Sequence, residues 1–513
     1  MKISTLCIWV VILLCFKGLP TLGQSVTINP SGISPLTPRL SNEAILALPN
    51  PQTGDLAYDL TFLCLRVYNG SEWLCSYQDP DNIVPDMALL ATTGGTGGSS
   101  PNGMATDAVG NIYITGYFSG NATFDNISKT ALGYDDIFIA KYNKNGKVLW
   151  VQTAGGTSEE HGRDIALDEN GNLYITGSFN GTTTFGSTNK TSAGGTDIFI
   201  AKYDTSGAFK WVRTFGSTGN DVGNSITVYN NTNIYTAGYF NGEVNFEESP
   251  STSNGGSDIF LLKCTPAGNS VWVQTAGGSG NDQALDVYAE SSGAGITGYF
   301  YGTASFGTEA RISAGGTDMF FAIYNHEGDM NILQTAGGPG ADAGQSLAIL
   351  SFFGSNYYVT GYFSGTATFA DKTATSSGGR DIFMAIYTSS FSDPLQLLKT
   401  AGGSSDDQGE KIIMNEIGNN FYVAGKFSRA FSIDNLNKSS NYDSNIFIAQ
   451  FYMNGHINWL KTASSSNVIE VQDVAIDAAD NLLVTGYFFN SARFGNFRKT
   501  SAGNSDTFLL KLK

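Results

Sequence analysis

The chain has 513 residues, a formal net charge of −17 at pH 7 and 62 glycines. Such an acidic protein is a poor partner for nucleic acids and anionic membranes, which bind basic surfaces. Charged residues make up only 14% of the sequence, and regular helical periodicity is hard to find, so the composition favours an all-β fold.

Residues 1–23 have the pattern of a secretory signal peptide, with an apolar run from about Leu6 to Phe16 and small residues before Gln24. The apolar run is too short to cross a membrane, and no other segment is long enough, so no membrane span is predicted. We therefore expect a bacterial Sec-type export signal and a secreted or cell-surface protein. Removal of the signal peptide takes away two lysines and moves the formal charge from −17 to −19.

A small β-hairpin module is predicted at residues 41–78, between an extended or disordered segment at 24–40 and a linker at 79–86. Its phrase PQTGDLAYDLTFLCLRVYNGSEW resembles a short β module near the start of many exported bacterial surface proteins. A two-residue turn at Asn69-Gly70 places Cys64 directly opposite Cys75, within reach of a disulfide in an oxidising compartment. Residues 24–85 are also a candidate region for homo-oligomer formation.

Two phrases recur seven times from residue 87 onward. The phenylalanine of the DIFIAKY phrase stands at Phe138, Phe199, Phe260, Phe320, Phe383, Phe447 and Phe508. The phenylalanine of the ITGYF phrase stands at Phe118, Phe179, Phe240, Phe300, Phe363, Phe427 and Phe488. Seven copies at a nearly fixed period, each with four strands between Gly-rich turns, predict the blades of a β-propeller. We interpret both sets of phenylalanines as packing between neighbouring blades.

The ends of this region complete one repeat between them. The seventh copy stops at Lys513 after its third strand, and MALLATTGG at 87–95 aligns with the fourth strand VLWVQTAGG at 148–156. We expect residues 87–95 to pair with residues 506–513. The predicted fold is thus an all-β, seven-bladed β-propeller with four-stranded blades at 87–513, preceded by the small N-terminal β module.

The motifs GGSGND, GNIYITGYF and DIFIAKY resemble the SBBP family, the seven-bladed β-propeller repeat of secreted bacterial proteins. The resemblance covers about residues 87–513. It implies a propeller in an extracellular setting, and it brings no established activity and no catalytic residues.

No catalytic, cofactor-binding or metal-binding constellation is visible in the sequence. The three histidines lie far apart, and none belongs to a metal-ligand spacing. The recurrent Gly-x-x-x-Trp spacing, as in Gly207 and Trp211, resembles the tryptophan docking motif of quinoprotein propellers. We interpret it structurally, with the glycine in a turn and the tryptophan between blades. Cys264 is predicted to be a buried structural thiol.

Acidic residues recur in the loop that enters most blades: Glu160, Asp221, Asp282, Asp342, Asp407 and Glu470. The favoured interpretation is that these carboxylates cap backbone N–H groups. The alternative is a negatively charged channel mouth that binds a cation or a polyhydroxyl ligand. The matching first-strand positions are predicted to line the channel and are Gly103, Asp164, Ser225, Asp286, Ser346, Lys411 and Asp473.

The sequence favours a secreted, non-enzymatic binding or scaffolding protein without a cofactor, whose ligand is an unknown protein or glycan. One alternative is a carbohydrate-binding or carbohydrate-active propeller that uses the channel mouth. Two or more carboxylates around a pocket lined with exposed Trp or Tyr would favour it. The other alternative is a structural component of a fibre or matrix.

Overall fold

A computed structural model describes residues 39–40, 45, 48, 51–52, 55–59, 64–68, 73–75 and 87–513, apart from 248, 351–354, 390–393, 416–419 and 435. The predicted signal peptide, the segment 24–38 and the linker 79–86 lie outside the described residues. The chain divides into two compact units, residues 1–82 and residues 83–513.

The first unit contains a small sheet of four strands in the order β1-β2-β3-β4. Strand β1 pairs parallel with β2, and the other neighbours are antiparallel. The strands are β1 (Arg39–Leu40), β2 (Leu56–Asp59), β3 (Cys64–Tyr68) and β4 (Trp73–Cys75).

The hairpin of β3 and β4 has a different register from the predicted one. Tyr68 pairs with Trp73, so four residues connect the strands and Cys75 lies opposite Arg66. Cys64 pairs instead with Asp59 of β2. The predicted direct opposition of Cys64 and Cys75 is therefore wrong, because it assumed a two-residue turn at Asn69-Gly70. The side chains of both cysteines lie outside the described residues.

The described residues of the second unit form β-strands and turns, arranged as successive groups of four antiparallel strands. The first strands are β6 (Ser99–Thr106), β12 (Glu160–Leu167), β16 (Val222–Tyr229), β22 (Gln283–Glu290), β26 (Ala343–Leu350), β30 (Gln408–Met414) and β36 (Ile469–Ile476). The second strands are β7 (Ile112–Phe118), β13 (Asn172–Phe185), β17 (Asn233–Phe240), β23 (Gly293–Phe306), β27 (Asn356–Phe369), β31 (Asn420–Phe427) and β37 (Leu482–Phe494).

The outer half of each group is built in the same way. The third strands are β10 (Asp136–Tyr142), β14 (Thr188–Asp204), β20 (Asp258–Cys264), β24 (Glu309–Tyr324), β28 (Lys372–Thr388), β34 (Ser444–Tyr452) and β38 (Phe497–Leu512). The fourth strands are β11 (Val148–Gly156), β15 (Phe209–Phe215), β21 (Ser270–Gly278), β25 (Met330–Gly337), β29 (Leu395–Ala401), β35 (Ile457–Ser465) and β5 (Met87–Gly95).

Strand β5 supplies the fourth strand of the last group. It pairs antiparallel with β38, and Leu89 lies opposite Leu510. The predicted pairing of the N-terminal and C-terminal strands is confirmed. The first strands close a ring of their own, since each contacts the first strand of the next group and β36 contacts β6. We call this the first-strand ring.

The four-strand prediction missed a short hairpin between the second and third strands of each group. In four groups it extends the second and third strands, and in the other three it is separate: β8 (Asn121–Phe124) with β9 (Ile127–Thr130), β18 (Glu243–Asn245) with β19 (Pro250–Thr252), and β32 (Ala430–Ile433) with β33 (Leu436–Ser439). In five groups the hairpin pairs with the fourth strand of the preceding group, as Ala154 of β11 pairs with Phe185, whereas β18-β19 and β32-β33 form two-stranded sheets of their own. Most neighbouring groups are therefore joined by strand pairing as well as by packing.

Apolar packing between groups follows the predicted phenylalanines. All seven third-strand phenylalanines are at most 1% exposed, and the second-strand phenylalanines are at most 3% exposed. The Gly-x-x-x-Trp residues also lie between groups, as predicted. The Trp150 indole donates to the Thr205 carbonyl at 3.1 Å, and Gly207 of the same turn, with φ of +86°, lies over that indole. Cys264 is a buried free thiol, as expected.

An aspartate stands two residues before the third-strand phenylalanine in six groups, and it is buried in each of them. Its carboxylate accepts a hydrogen bond from the backbone N–H four residues earlier, as in the 3.1 Å bond from Ala314 to Asp318. A glycine on the fourth strand makes room for it, because a Cβ at Gly337 would lie 2.4 Å from the Asp318 carboxyl carbon. Where Asn445 replaces this aspartate, Ser464 replaces the glycine opposite.

Changing Asp318 to asparagine is expected to stabilise the protein at pH 8. Burial raises the pKa of Asp318 to about 7, from an ordinary value of 3.8. The wild-type protein therefore loses folding stability as the pH rises from 3.8 towards about 7, whereas asparagine does not titrate. We expect a gain of up to about 4 kcal/mol at pH 8 that disappears near pH 4, because the pKa of Asp318 rises from 3.8 to about 7 and each pH unit of that rise corresponds to ~1.4 kcal/mol. Urea unfolding at both pH values measures it, and an equal effect at both would contradict the pKa explanation.

Candidate binding site at the first-strand ring

Four of the predicted channel-lining residues meet at the centre of the first-strand ring. The Lys411 ammonium lies 3.8 Å from Asp286 Oδ1 and 3.6 Å from Asp473 Oδ1, and it also interacts electrostatically with Asp164. We call Asp164, Asp286, Lys411 and Asp473 the axial cluster. The axial cluster therefore contains one cationic side chain and three carboxyl groups.

Hydrogen bonds from the axial cluster join neighbouring first strands. Asp473 accepts from the Met104 N–H at 2.6 Å, and Asp164 accepts from the Ile226 N–H at 2.8 Å. Asp286 accepts from the hydroxyls of Ser225 and Ser346, at 3.0 and 2.8 Å. The cluster therefore satisfies its polar atoms largely within the protein, and its geometry serves the closure of the ring.

The remaining lining position is Gly103, and it has no room for a side chain. A Cβ there would lie 2.6 Å from the Asp164 Cα. Burial raises the pKa of Asp164 and of Asp473, and Lys411 opposes this shift for both carboxylates. Within the described ranges, no group of three or more His, Cys, Asp or Glu side chains is arranged to hold a metal ion.

The loop carboxylates are buried and cap backbone N–H groups. Glu160, Asp221, Asp282, Asp342 and Asp407 are each 0% exposed. Asp282, for example, accepts from the backbone N–H groups of Gly278 and Tyr301, both at 2.8 Å. Burial raises the pKa of Glu160 and of Asp407 to about 7. These five side chains fix the entry loop to the outer hairpin, and none faces the solvent of a channel mouth. Glu470 is the exception, because it accepts a hydrogen bond from the Tyr487 hydroxyl at 2.9 Å.

A ring of tyrosines that the sequence analysis did not single out lies near Glu470. These residues share the position before the second-strand phenylalanine, and they are Tyr117, Tyr239, Tyr299, Tyr362 and Tyr487. Burial and the neighbouring phenols of Tyr362 and Tyr239 raise the pKa of Tyr299 to about 12. Burial also raises the pKa of Tyr487, with contributions from Glu470 and Tyr117. Ser178 and Lys426 take the two other positions, and we call the seven residues the tyrosine ring.

Charges on one side of the tyrosine ring are paired. The Lys426 ammonium lies 3.2 Å from Glu410 Oε1 and 3.5 Å from Glu470 Oε1. On the other side, His161 Nε2 lies 3.2 Å from Asp135 Oδ2, and its ring lies 4.2 Å from that of Tyr117.

Arg163 is the exception among these charges. It is the extra residue of a β-bulge in β12, between Gly162 and Asp164. It makes no hydrogen bond or ion pair within the described part of the chain, and its Nε is buried without a partner. The groups that interact with its guanidinium electrostatically are the phenols of Tyr239 and Tyr117. Arg163 is therefore a positive charge at the tyrosine ring that the protein leaves uncompensated.

A cleft of about 420 Å³ lies beside the same ring. It is lined by Tyr299, Tyr301 and Tyr362 together with Arg380, whose guanidinium lies 4.3 Å from the centre of the Tyr362 ring. Tyr301 is 50% exposed. Aromatic and guanidinium groups therefore provide the accessible binding surface there, whereas the buried carboxylates do not.

The sequence contained a signal for the tyrosine ring. Within the TGYF phrase the phenylalanine is constant, but the residue before it changes to serine at Ser178 and to lysine at Lys426. A position that varies among otherwise similar repeats is free of the packing that fixes its neighbour. The sequence held no signal that Arg163 lacks an ion-pair partner, because this depends on the β-bulge and on distances across the ring.

No protein-family model matches the chain. The chain is 27% identical over 251 residues to a WD repeat-containing protein of Acanthamoeba polyphaga mimivirus, covering 41% of this chain and 18% of that protein. It is 22% identical over 441 residues to the regulatory protein FlaEY of Caulobacter vibrioides, covering 75% of this chain and 46% of that protein. The chain thus spans less than half the length of either relative.

Among solved structures, the crystal structure of Sqt1 from Chaetomium thermophilum aligns with a TM-score of 0.40 and 11% identity, over 78% of this chain and 97% of that one. The described residues contain no helix that is both long and apolar enough to cross a membrane.

Proposed function

We propose that the chain is a seven-bladed β-propeller of the SBBP type that works as an exported, non-enzymatic binding or scaffolding protein. The tyrosine ring is the observation that carries the proposal, because tyrosine and arginine dominate the binding energy of protein interfaces. The repeat similarity to a WD repeat-containing protein and to a regulatory protein supports a binding role. A protein partner fits best, docking across the end of the first-strand ring.

Capture of a partner from the cell envelope and medium of the source organism tests the proposal. We expect the wild-type chain to retain a partner that the double variant Tyr299→Ser and Tyr362→Ser loses. The matched control replaces Val109 and Leu132 by serine, since both are exposed apolar residues outside the tyrosine ring. Equal retention by both double variants would contradict docking at this end of the ring.

A second candidate function is carbohydrate binding in the cleft beside Tyr301. The half-exposed aromatic surface of Tyr301 favours stacking against a sugar. Carboxylates are missing from the residues that line this cleft, so the cleft favours binding over hydrolysis. A glycan array probed with wild type and with Tyr301→Ser measures this, and binding that does not change in the variant would place the sugar elsewhere.

A further inference from the structure

Arg163 has the properties of a ligand-binding cation. A guanidinium is always charged at physiological pH. The Arg163 side chain is half-buried, and its Nε is buried without a hydrogen-bond partner, which is costly for a polar atom. The protein has 45 acidic residues for 28 basic ones, yet none of the acidic ones pairs with Arg163 in the described structure. Of the other cations near the ring, Lys426 is paired with Glu410 and Glu470, and Arg380 lies over the ring of Tyr362. Arg163 has neither kind of partner in the described structure.

The nearest acidic groups are engaged elsewhere. Asp164 follows Arg163 in sequence, but its Oδ2 accepts hydrogen bonds from the Ile226 N–H and the Ser225 hydroxyl, both at 2.8 Å. Asp135 is held by His161. Burial raises the pKa of Tyr239, so its phenol remains neutral beside Arg163. The described part of the chain therefore supplies no anion to Arg163.

The tyrosine ring has its smallest residue beside Arg163. In five of the seven groups this ring position holds a tyrosine, whereas the group of Arg163 has Ser178 there. Ser178 lies opposite His161 in the strand register, one residue from Gly162 and two from Arg163. The phenol that five other groups hold at this position is therefore missing beside Arg163, and Ser178 itself is only 4% exposed.

We infer that Arg163 binds a carboxylate of an acidic segment of a partner protein, which docks against Tyr117 and Tyr239 of the tyrosine ring. A guanidinium binds a planar carboxylate through two parallel N–H donors. The phenols of Tyr117 and Tyr239 flank it and can add neutral hydrogen bonds. A peptide suits the site because tyrosine and arginine together are typical of the centre of protein interfaces. The inference rests on the proposed binding function and names the chemistry of its partner.

Fluorescence anisotropy with a labelled ten-residue peptide of alternating Glu and Gly tests the inference. We expect the full chain to bind it and Arg163→Gln to weaken the affinity at least tenfold. A matched peptide of alternating Gln and Gly is expected not to bind. The control variant Arg498→Gln removes an exposed arginine of an outer hairpin and is expected to leave the affinity unchanged.

A second variant keeps the test decisive if Arg163→Gln unfolds. Ser178→Tyr introduces the common ring residue, retains the charge of Arg163, and is expected to weaken peptide binding by placing a phenol beside that charge. Unchanged affinity in both variants would overturn the inference. A galacturonate decamer that binds while the acidic peptide does not would also overturn it, by assigning the site to an acidic glycan. If the wild-type chain binds the acidic peptide but captures no partner protein, that result would count against the proposed function and not against the role of Arg163.

Discussion

A chain that begins at residue 97 is expected to lose its cooperative unfolding transition, whereas a chain that begins at residue 83 is expected to keep it. The shorter chain lacks β5, which pairs with β38 on one side and with β8 on the other. Without β5, the buried side chains of Phe508 and Leu510, both 0% exposed, lie beside an open strand edge.

The expected loss is large because one strand closes the whole ring. Each buried apolar side chain that becomes exposed costs about 1.5–3 kcal/mol, and Met87, Phe508, Leu510 and Leu512 belong to one core cluster. The free edge would also pair with other chains and promote aggregation. Circular dichroism melts, size-exclusion chromatography and limited proteolysis of the two truncated chains measure the effect.

A synthetic peptide of residues 85–98 gives a second measurement. If the missing strand is the cause, adding this peptide to the chain that begins at residue 97 is expected to raise its melting temperature and protease resistance. A scrambled peptide is the control. A cooperative transition in the shorter chain within a few degrees of the longer one would contradict closure by β5.

The repeat architecture could be predicted because its determinants are local and recur. Phe199 and its counterparts mark the third strand, and their spacing fixes the number of copies in the sequence. The pairing of Leu89 with Leu510 followed from the incomplete last copy, since a missing fourth strand has to come from the other end. Four channel-lining residues were also expected at one place, because equivalent positions of a repeat face the same axis.

Other features could not be predicted, for physical reasons. The connection between β3 and β4 depends on whether two or four residues form the turn, and Asn69-Gly70 is compatible with both. The outer hairpins are Thr-rich and only half-buried, so they lack the hydrophobic pattern that marks the main strands. Whether a loop carboxylate such as Asp282 faces solvent or a backbone N–H is decided by tertiary contacts.

Replacing Lys411 by methionine is expected to destabilise the protein by about 3 kcal/mol at pH 7.5. Methionine keeps most of the side-chain volume but removes the cation from Asp164, Asp286 and Asp473. Taking away one partner of a buried ion pair costs about 3–5 kcal/mol, and Lys411 is at the lower end because its side chain is 21% exposed. Urea unfolding of wild type and Lys411→Met measures the loss, with Lys411→Arg as the control that keeps the charge.

The loss is expected to shrink at pH 5, and this direction identifies its cause. Burial already raises the pKa of Asp164 and Asp473, with Lys411 as the main opposing influence. Without Lys411 the folded-state pKa values rise further above the unfolded ones. Stability is then lost as the pH rises through the folded pKa, and it is retained at pH 5, where these carboxylates take up protons. An equal destabilisation at pH 5 and pH 7.5 would assign the effect to packing around the methionine rather than to the unpaired aspartates.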